Sequence, residues 1–308
     1  MVPDLAVRVG SVDLPNPVMT ASGTAGHGAE LEPYARLAAL GALVVKSLAA
    51  YEWAGNPAPR VHATAAGMIN AVGLQGPGVV GWMQDDLPAA LATGARVVAS
   101  IWGRSVDDYR RAAEQLASAP AGVVAVEVNL SCPNLEGRSS IFAHDAELSA
   151  EVIRATAACG RPRWAKLSPN TDRITDIAGA VAMAGAEAVT LVNTLLAMVV
   201  DTDTGRPVLG AGGGGVSGLG IHPIAVRAVY DVHAAHPDLP IVGVGGVNSG
   251  RGAAELLLAG ASAVQVGTAT FAEPTAPWRV LGELRRWFAG HGRPMQDVVG
   301  AAHRGGLC

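Results

Sequence analysis

The feature that most constrains this chain is an alternation. Eight short apolar runs, at 17–21, 42–47, 96–101, 123–129, 163–167, 188–193, 241–245 and 263–266, are separated by stretches with helical periodicity. Continuous apolar runs of that length read as strands buried on both faces, as in a parallel sheet, whereas a sheet with one wet face alternates residue by residue. The intervening stretches near 30–40, 78–93, 106–118, 145–158, 173–184, 222–236, 249–259 and 275–290 predict helices, several opened by the capping residues Ser105, Asp145, Thr171 and Asn248. Eight βα units in 308 residues predict an α/β chain folded as a (β/α)8 TIM barrel, one domain spanning 1–308. A doubly wound open sheet is the alternative architecture, but it normally shows fewer repeats and an edge strand of alternating polarity. Residues 5–14 alternate with period two around Gly10-Ser11 and predict an N-terminal β-hairpin closing the barrel's bottom, with inserted loops expected at the C-terminal face.

Composition narrows the function. Half the residues are hydrophobic, 16% are charged and 39 are glycine, which indicates a large core with many sharp turns. A net charge of -4 without any Lys/Arg-rich segment argues against nucleic acid or an anionic membrane surface as partner. The three cysteines, Cys132, Cys159 and Cys308, are too few and scattered for a disulfide framework or a structural zinc site, and a reducing cytoplasm suits them. No basic segment followed by an apolar stretch opens the chain, so no secretory signal is expected. The apolar stretch 177–200 is interrupted by Gly185, Glu187 and Asn193, so no membrane span is expected.

Barrel enzymes carry their chemistry on the loops after the strands. Here the runs end in Ala21-Ser22-Gly23, Lys46-Ser47, Ser100, Asn129 to Cys132, Lys166-Leu167-Ser168, Asn193-Thr194, Gly245-Gly246 and Gly267-Thr268. The strand-end glycines at the seventh and eighth positions, Gly245-Gly246 and Gly267, stand where barrels commonly bind phosphate, and the run Gly212 to Gly218 can supply further amides. Lys46 and Lys166 end buried strands, where an ammonium is costly unless it snorkels outward, meets a carboxylate or faces a bound anion. A phosphorylated cofactor that gains negative charge on reduction would satisfy both lysines and the glycines, and flavin mononucleotide (FMN) fits that description. Cys132 follows a strand directly and is flanked by Asn129 and Asn134, a setting for a reactive thiol, although free cysteines are more often buried filler.

These motifs resemble a known family, the class 1 dihydroorotate dehydrogenases, and within it the class 1B catalytic subunit. The resemblance runs from Asn16 to about Pro274 and rests on Ala21-Ser22-Gly23, Gly55-Asn56-Pro57-Ala58-Pro59-Arg60, the segment Gly67 to Gly78, Asn129 to Asn134, Lys166-Leu167-Ser168-Pro169-Asn170, Val192-Asn193-Thr194 and the terminal glycine pairs. It implies FMN held by Ser22, Lys46, Ser47, Ser100, Asn129, Lys166, Val192, Gly218, Gly245, Gly246, Gly267 and Thr268. It implies substrate held by Lys46, Asn70, Ala71, Val72, Gly73, Leu74, Asn129, Asn193 and Thr194. The implied reaction takes a proton from ring carbon 5 of dihydroorotate onto Cys132 while hydride leaves ring carbon 6 for the flavin, giving orotate for pyrimidine biosynthesis. An ordinary thiol is mostly protonated at neutral pH, so the rate is expected to climb toward alkaline pH.

Class 2 members carry an N-terminal amphipathic extension and a serine base, both missing from this sequence, and class 1A members carry a different loop where this chain has Ala71 to Gly78. Class 1B implies a homodimeric core with a second subunit whose FAD and iron-sulfur cluster pass electrons to NAD. Three positions depart from the family pattern: Ser100 stands for an asparagine, His27 for an aromatic and Gly76 for an asparagine. Three rival readings are a related FMN-dependent dihydropyrimidine dehydrogenase, a class 1A-like fumarate-linked homodimer, and a non-catalytic FMN-binding scaffold.

Overall fold

The computed structural model describes residues 3–131 and 141–307. Eight strands form one parallel sheet: β3 (Val18–Thr20), β4 (Leu43–Val44), β7 (Val97–Ile101), β8 (Val123–Asn129), β9 (Arg163–Lys166), β10 (Ala188–Leu191), β13 (Ile241–Val244) and β14 (Ala263–Val266). Their order is β3-β14-β13-β10-β9-β8-β7-β4, and every neighbouring pair is parallel. The two ends of the sheet meet. Gly41 N–H donates to Val18 O at 2.8 Å, and Val44 N–H donates to Thr20 Oγ1 at 2.9 Å, closing the sheet into a barrel.

All eight expected strands form because their residues are inaccessible on both faces: Val97 to Ile101 and Ile241 to Val244 are buried throughout. The N-terminal hairpin, β1 (Val7–Val9) paired antiparallel with β2 (Val12–Leu14), also forms. Val9, Val12 and Leu14 pack into one cluster with Met19, Val44, Val98, Ala125, Trp164, Ala188, Val242 and Ala263, one residue from each barrel strand. The hairpin is thus a plug, and the barrel beneath the site is solid.

The helices are α1 (Gly78–Asp85), α2 (Leu87–Ala92), α3 (Val106–Leu116), α4 (Ala146–Ala155), α5 (Ile174–Met183), α6 (His222–Ala235), α7 (Gly250–Ala259), α8 (Ala269–Ala272), α9 (Ala276–His291) and α10 (Met295–Val298). Several expectations need correction. The segment 30–40 is a series of turns ending in a short 3-10 stretch at Leu37–Ala39. Pro33 supplies no amide, Glu30 accepts instead from His27 and Gly28 N–H, and Glu32 accepts from Leu37 N–H, so local side-chain bonds replace the helical ladder. The helix expected over 78–93 breaks at Asp86, with Pro88 in the first turn of the second piece. Ser105 and Asp145 do cap α3 and α4, but Thr171 bonds Arg173 N–H before α5 begins, and Ser249 rather than Asn248 caps α7.

The inserted segments at the top are more ordered than loops. The strands β5 (Val61–Thr64), β6 (Gly67–Asn70), β11 (Leu195–Ala197) and β12 (Gly214–Ser217) form an antiparallel sheet in the order β11-β12-β6-β5. Part of the glycine-rich run read as a source of free amides is therefore paired in this sheet, leaving Gly218 at its end. Among the described residues no helix is long and apolar enough to cross a membrane.

Candidate active site

A cavity of about 880 Å³ opens at the C-terminal ends of the barrel strands, with the four-stranded antiparallel sheet forming part of its wall. Seven of the eight barrel strands, all but β7, deliver side chains or amides as they end. Ser22 and Gly23 follow β3, Lys46 and Ser47 follow β4, Asn129 ends β8, Lys166 ends β9, Val192, Asn193 and Thr194 follow β10, Gly245 and Gly246 follow β13, and Gly267 and Thr268 follow β14; all line the cavity. Asn70, Ala71, Val72, Gly73, Leu74 and Gly218 line it from the insertions. Of the residues expected at the site, Ser100 lies outside the wall and Cys132 lies outside the described residues. Ser131, which precedes Cys132, lines the cavity, and its buried hydroxyl has no hydrogen-bond partner among the described residues.

The lysines stand apart. Lys166 is 4% exposed, and its Nζ donates to Ser22 Oγ at 3.1 Å and faces Glu127 Oε1 at 3.5 Å. Lys46 lies along Gly23, where a Cβ would come to 3.3 Å from its Nζ and the φ of 81° already disfavours a side chain. On the same lining, Gly245 and Gly246 have φ of 133° and 67°, backbone that disfavours a side chain. A Cβ on Gly246 would stand 2.7 Å from His222 Cβ and 2.8 Å from Gly218 O. The N-terminus of α6, which begins at His222, packs against this pair, and positive backbone ends together with bare amides favour an anion. Thr268 Oγ1 donates to Ser217 Oγ at 2.8 Å, tying the last strand to the insertion.

The same lining carries a row of linked amides. Asn193 Nδ2 donates to Asn129 Oδ1 at 3.0 Å, Ser131 N–H donates to the same oxygen at 3.2 Å, and Asn129 Nδ2 donates to Ser47 Oγ at 3.3 Å. Thr194 N–H donates to Asn193 Oδ1 at 2.9 Å. These bonds fix which edge of each amide faces which way, as reading a flat polar ring requires.

The segment carrying Asn70 to Leu74 is held from outside. Asn56 Nδ2 donates to Ala71 O at 3.1 Å, Trp53 Nε1 donates to Gly73 O at 2.9 Å, and Trp53 and Gly76 exchange backbone bonds. Trp53, Tyr51 and Trp102 meet edge to face with centroids 6.3 to 6.4 Å apart, and Leu74 packs on them. Leu74 adopts φ 63°, the one non-glycine positive φ among the described residues. Burial, with Asp108 beside it, pushes the Tyr51 hydroxyl up to about 12, so it stays a neutral donor to Asp108 Oδ2 at 3.2 Å.

Sequence reasoning assigned nothing to Glu127 or Gln265. Both are fully buried directly below the cavity, and Gln265 Nε2 donates to Glu127 Oε2 at 2.8 Å. The signal was there to find: a carboxylate two residues before Asn129, in a strand otherwise apolar, shares its inward face. Ser100, expected on the flavin, sits beside them beneath the cavity at 0% exposure and bonds Ser47 and Glu127.

A closed barrel with two lysines, an amide rail and a glycine cradle around one cavity is the architecture of an enzyme that binds a phosphorylated cofactor beside a planar polar substrate. The family profile for dihydroorotate dehydrogenase matches residues 4–288. The chain is 47% identical over 303 residues to the dihydroorotate dehydrogenase B (NAD(+)) catalytic subunit of Desulforudis audaxviator, covering 98% of each, and 41% identical over 301 residues to that of Geobacter sulfurreducens, covering 97% and 98%. A relative from Solibacter usitatus, 43% identical over 302 residues and covering 97% and 99%, is named provisionally as a dihydroorotate dehydrogenase A (fumarate). The chain belongs to the dihydroorotate dehydrogenase family.

Proposed function

We propose that this chain oxidises dihydroorotate to orotate in pyrimidine biosynthesis, with FMN in the cavity, as the catalytic subunit of an NAD-linked enzyme. The observation that carries this reading is that Ser22, the lysines, the Asn129–Asn193 amides and the strand-end glycines, scattered along the sequence from Ser22 to Gly267, face a single cavity. The residues fit FMN: the Gly245-Gly246 cradle excludes side chains where a phosphate would sit, and Lys166 and Ser22 are placed together on the floor. FMN, when bound, supplies the hydride acceptor.

The chain's own residues do the rest. Gly218, Gly245, Gly246, Gly267 and Thr268 hold the phosphate end, while Ser22, Lys166, Val192, Asn129 and Ser47 hold the ring end, with Ser100 supporting Ser47 from below. Lys46, Asn129, Asn193, Thr194 and Asn70 to Leu74 bind the substrate's carboxylate and imide, and the wall from β6 shields it from water. Cys132 takes the proton from ring carbon 5. A homodimeric core joined to a subunit carrying FAD and an iron-sulfur cluster would carry the electrons to NAD. The fumarate-linked homodimer is the second reading, favoured by the name of the Solibacter relative.

The test is direct. The purified chain should be yellow, and anaerobic dihydroorotate should bleach it; a colourless preparation or an unbleached flavin defeats the proposal. Cys132→Ala should keep the colour and slow bleaching by about 10²–10⁴-fold. Full speed in that variant would remove Cys132 from the reaction. Turnover with fumarate but without NAD in the purified chain would select the second reading.

A further inference from the structure

Below the cavity, polar side chains from three strands, Ser100, Lys166 and Gln265, converge on one buried carboxylate, that of Glu127. Glu127 is 0% exposed and does not reach the cavity wall. Its Oε2 accepts from Gln265 Nε2 at 2.8 Å, and its Oε1 accepts from Ser100 Oγ at 3.3 Å and faces Lys166 Nζ at 3.5 Å. The hydroxyl chain above it has a forced direction. If Ser100 gives its proton to the carboxylate, the 2.9 Å contact between Ser47 and Ser100 must be donated by Ser47, whose oxygen then accepts from Asn129 Nδ2. The carboxylate therefore ends a relay that sets the orientation of an amide facing the cavity.

We infer that Glu127 is a positioning residue for the flavin site: it is the buried counter-charge of Lys166 and the terminal acceptor of the Asn129–Ser47–Ser100 chain. An ammonium on the cavity floor with a carboxylate behind it exerts a smaller positive field on a bound ring than the ammonium alone. Glu127 thereby moderates how strongly Lys166 favours the negative charge that a flavin gains on reduction. The same arrangement explains why a serine suffices at position 100. A short hydroxyl there bridges Ser47 and Glu127 without lining the cavity.

The inference rests on FMN occupying the cavity, and its test separates the two ideas. In the FMN-loaded full chain, Glu127→Gln should shift the flavin midpoint potential to more positive values and tighten formation of the flavin–sulfite adduct by roughly tenfold. Glu127→Asp, which keeps the charge, should stay near the wild type in both. Unchanged potential and sulfite affinity in Glu127→Gln, with only a lower melting temperature, would make the carboxylate purely structural and overturn the inference. Should Glu127→Gln lose its flavin, the apoprotein decides: Glu127→Gln and Lys166→Gln should each lower the urea midpoint, and the double variant should recover most of the loss. Additive losses overturn the pairing. A colourless wild-type chain would sink the FMN reading while leaving the urea cycle intact.

Discussion

The interior of the barrel divides into two storeys that differ by two residues along each strand. The lower storey holds Val44, Val98, Ala125, Trp164, Ala188 and Ala263, packed under the hairpin. Two positions on, the same strands present Lys46, Ser100, Glu127, Lys166, Thr190 and Gln265. Because alternate residues of a strand share a face, these two sets point into the same barrel one above the other. Only Met19 to Ala21 and Val242 to Val244 stay apolar through the step. The lower storey supplies burial, the upper supplies charge and direction, and the strands connect them rigidly, so the residues at the strand ends are held in register by the barrel itself.

The sharpest way to break this division is to damage the lower storey and look for an effect in the upper. Trp164 is fully buried and stands two residues before Lys166 on β9. Trp164→Ala should cost about 3–5 kcal/mol in urea unfolding. If the storeys are separable, the surviving folded protein should bind FMN within about tenfold of the wild type, a difference of ~1.4 kcal/mol. A larger loss of affinity would mean that the lower packing sets the position of Lys166 directly.

The converse experiment touches the site and spares the packing. Gly246→Ala forces a Cβ toward His222 and Gly218 at φ 67°. The strained backbone should cost about 1–2 kcal/mol of stability, whereas FMN affinity, read by fluorescence titration, should fall at least tenfold because the amides that cradle the phosphate must shift. Equal affinity in the two proteins would show that the phosphate is held elsewhere.

How much of this was legible in the sequence follows the same division. Eight runs of buried strand and the polar residues that end them could be read because burial on two faces keeps most positions of each run apolar, and Lys46, Asn129 and Lys166 mark the ends. The segment 30–40 misled because Leu31, Leu37 and Leu40 have helical spacing and yet are buried by turns that Pro33, Glu30 and Glu32 stabilise. The sheet over the mouth escaped notice since β12 is half glycine, and glycine carries no strand signal; its pairing with β6 is a long-range choice that no local pattern records. Glu127 and Gln265 were hidden for a related reason. Each reads as an isolated polar residue in an apolar run, and only the closed barrel brings β8 and β14 face to face across its axis.

Two departures from the family pattern, His27 and Gly76, are neighbours in space, and they give the finest probe of how the upper storey is buttressed. A Cβ on Gly76 would stand 3.3 Å from His27 Nε2, a buried ring nitrogen with no hydrogen-bond partner. Burial lowers the proton affinity of His27; Asp86 and Glu30 oppose this, and Lys46 adds to it. The folded chain thus binds a proton at His27 less tightly than the unfolded chain does, so the unfolded state takes up more protons as pH falls. The stability linked to this ring is complete above the ordinary histidine value of 6.5 and is lost as pH drops through that value toward the lower folded one. Burial shifts His144 and His233 in the same direction, so three rings act in that window. His27→Phe removes one of them together with its unpartnered nitrogen, and the fall in melting temperature between pH 7.5 and 5 should become smaller while the neutral-pH value holds or rises. A variant that tracks the wild type across the whole range would show that His27 keeps its proton as readily folded as unfolded, and that the contact with Gly76 is one of shape alone.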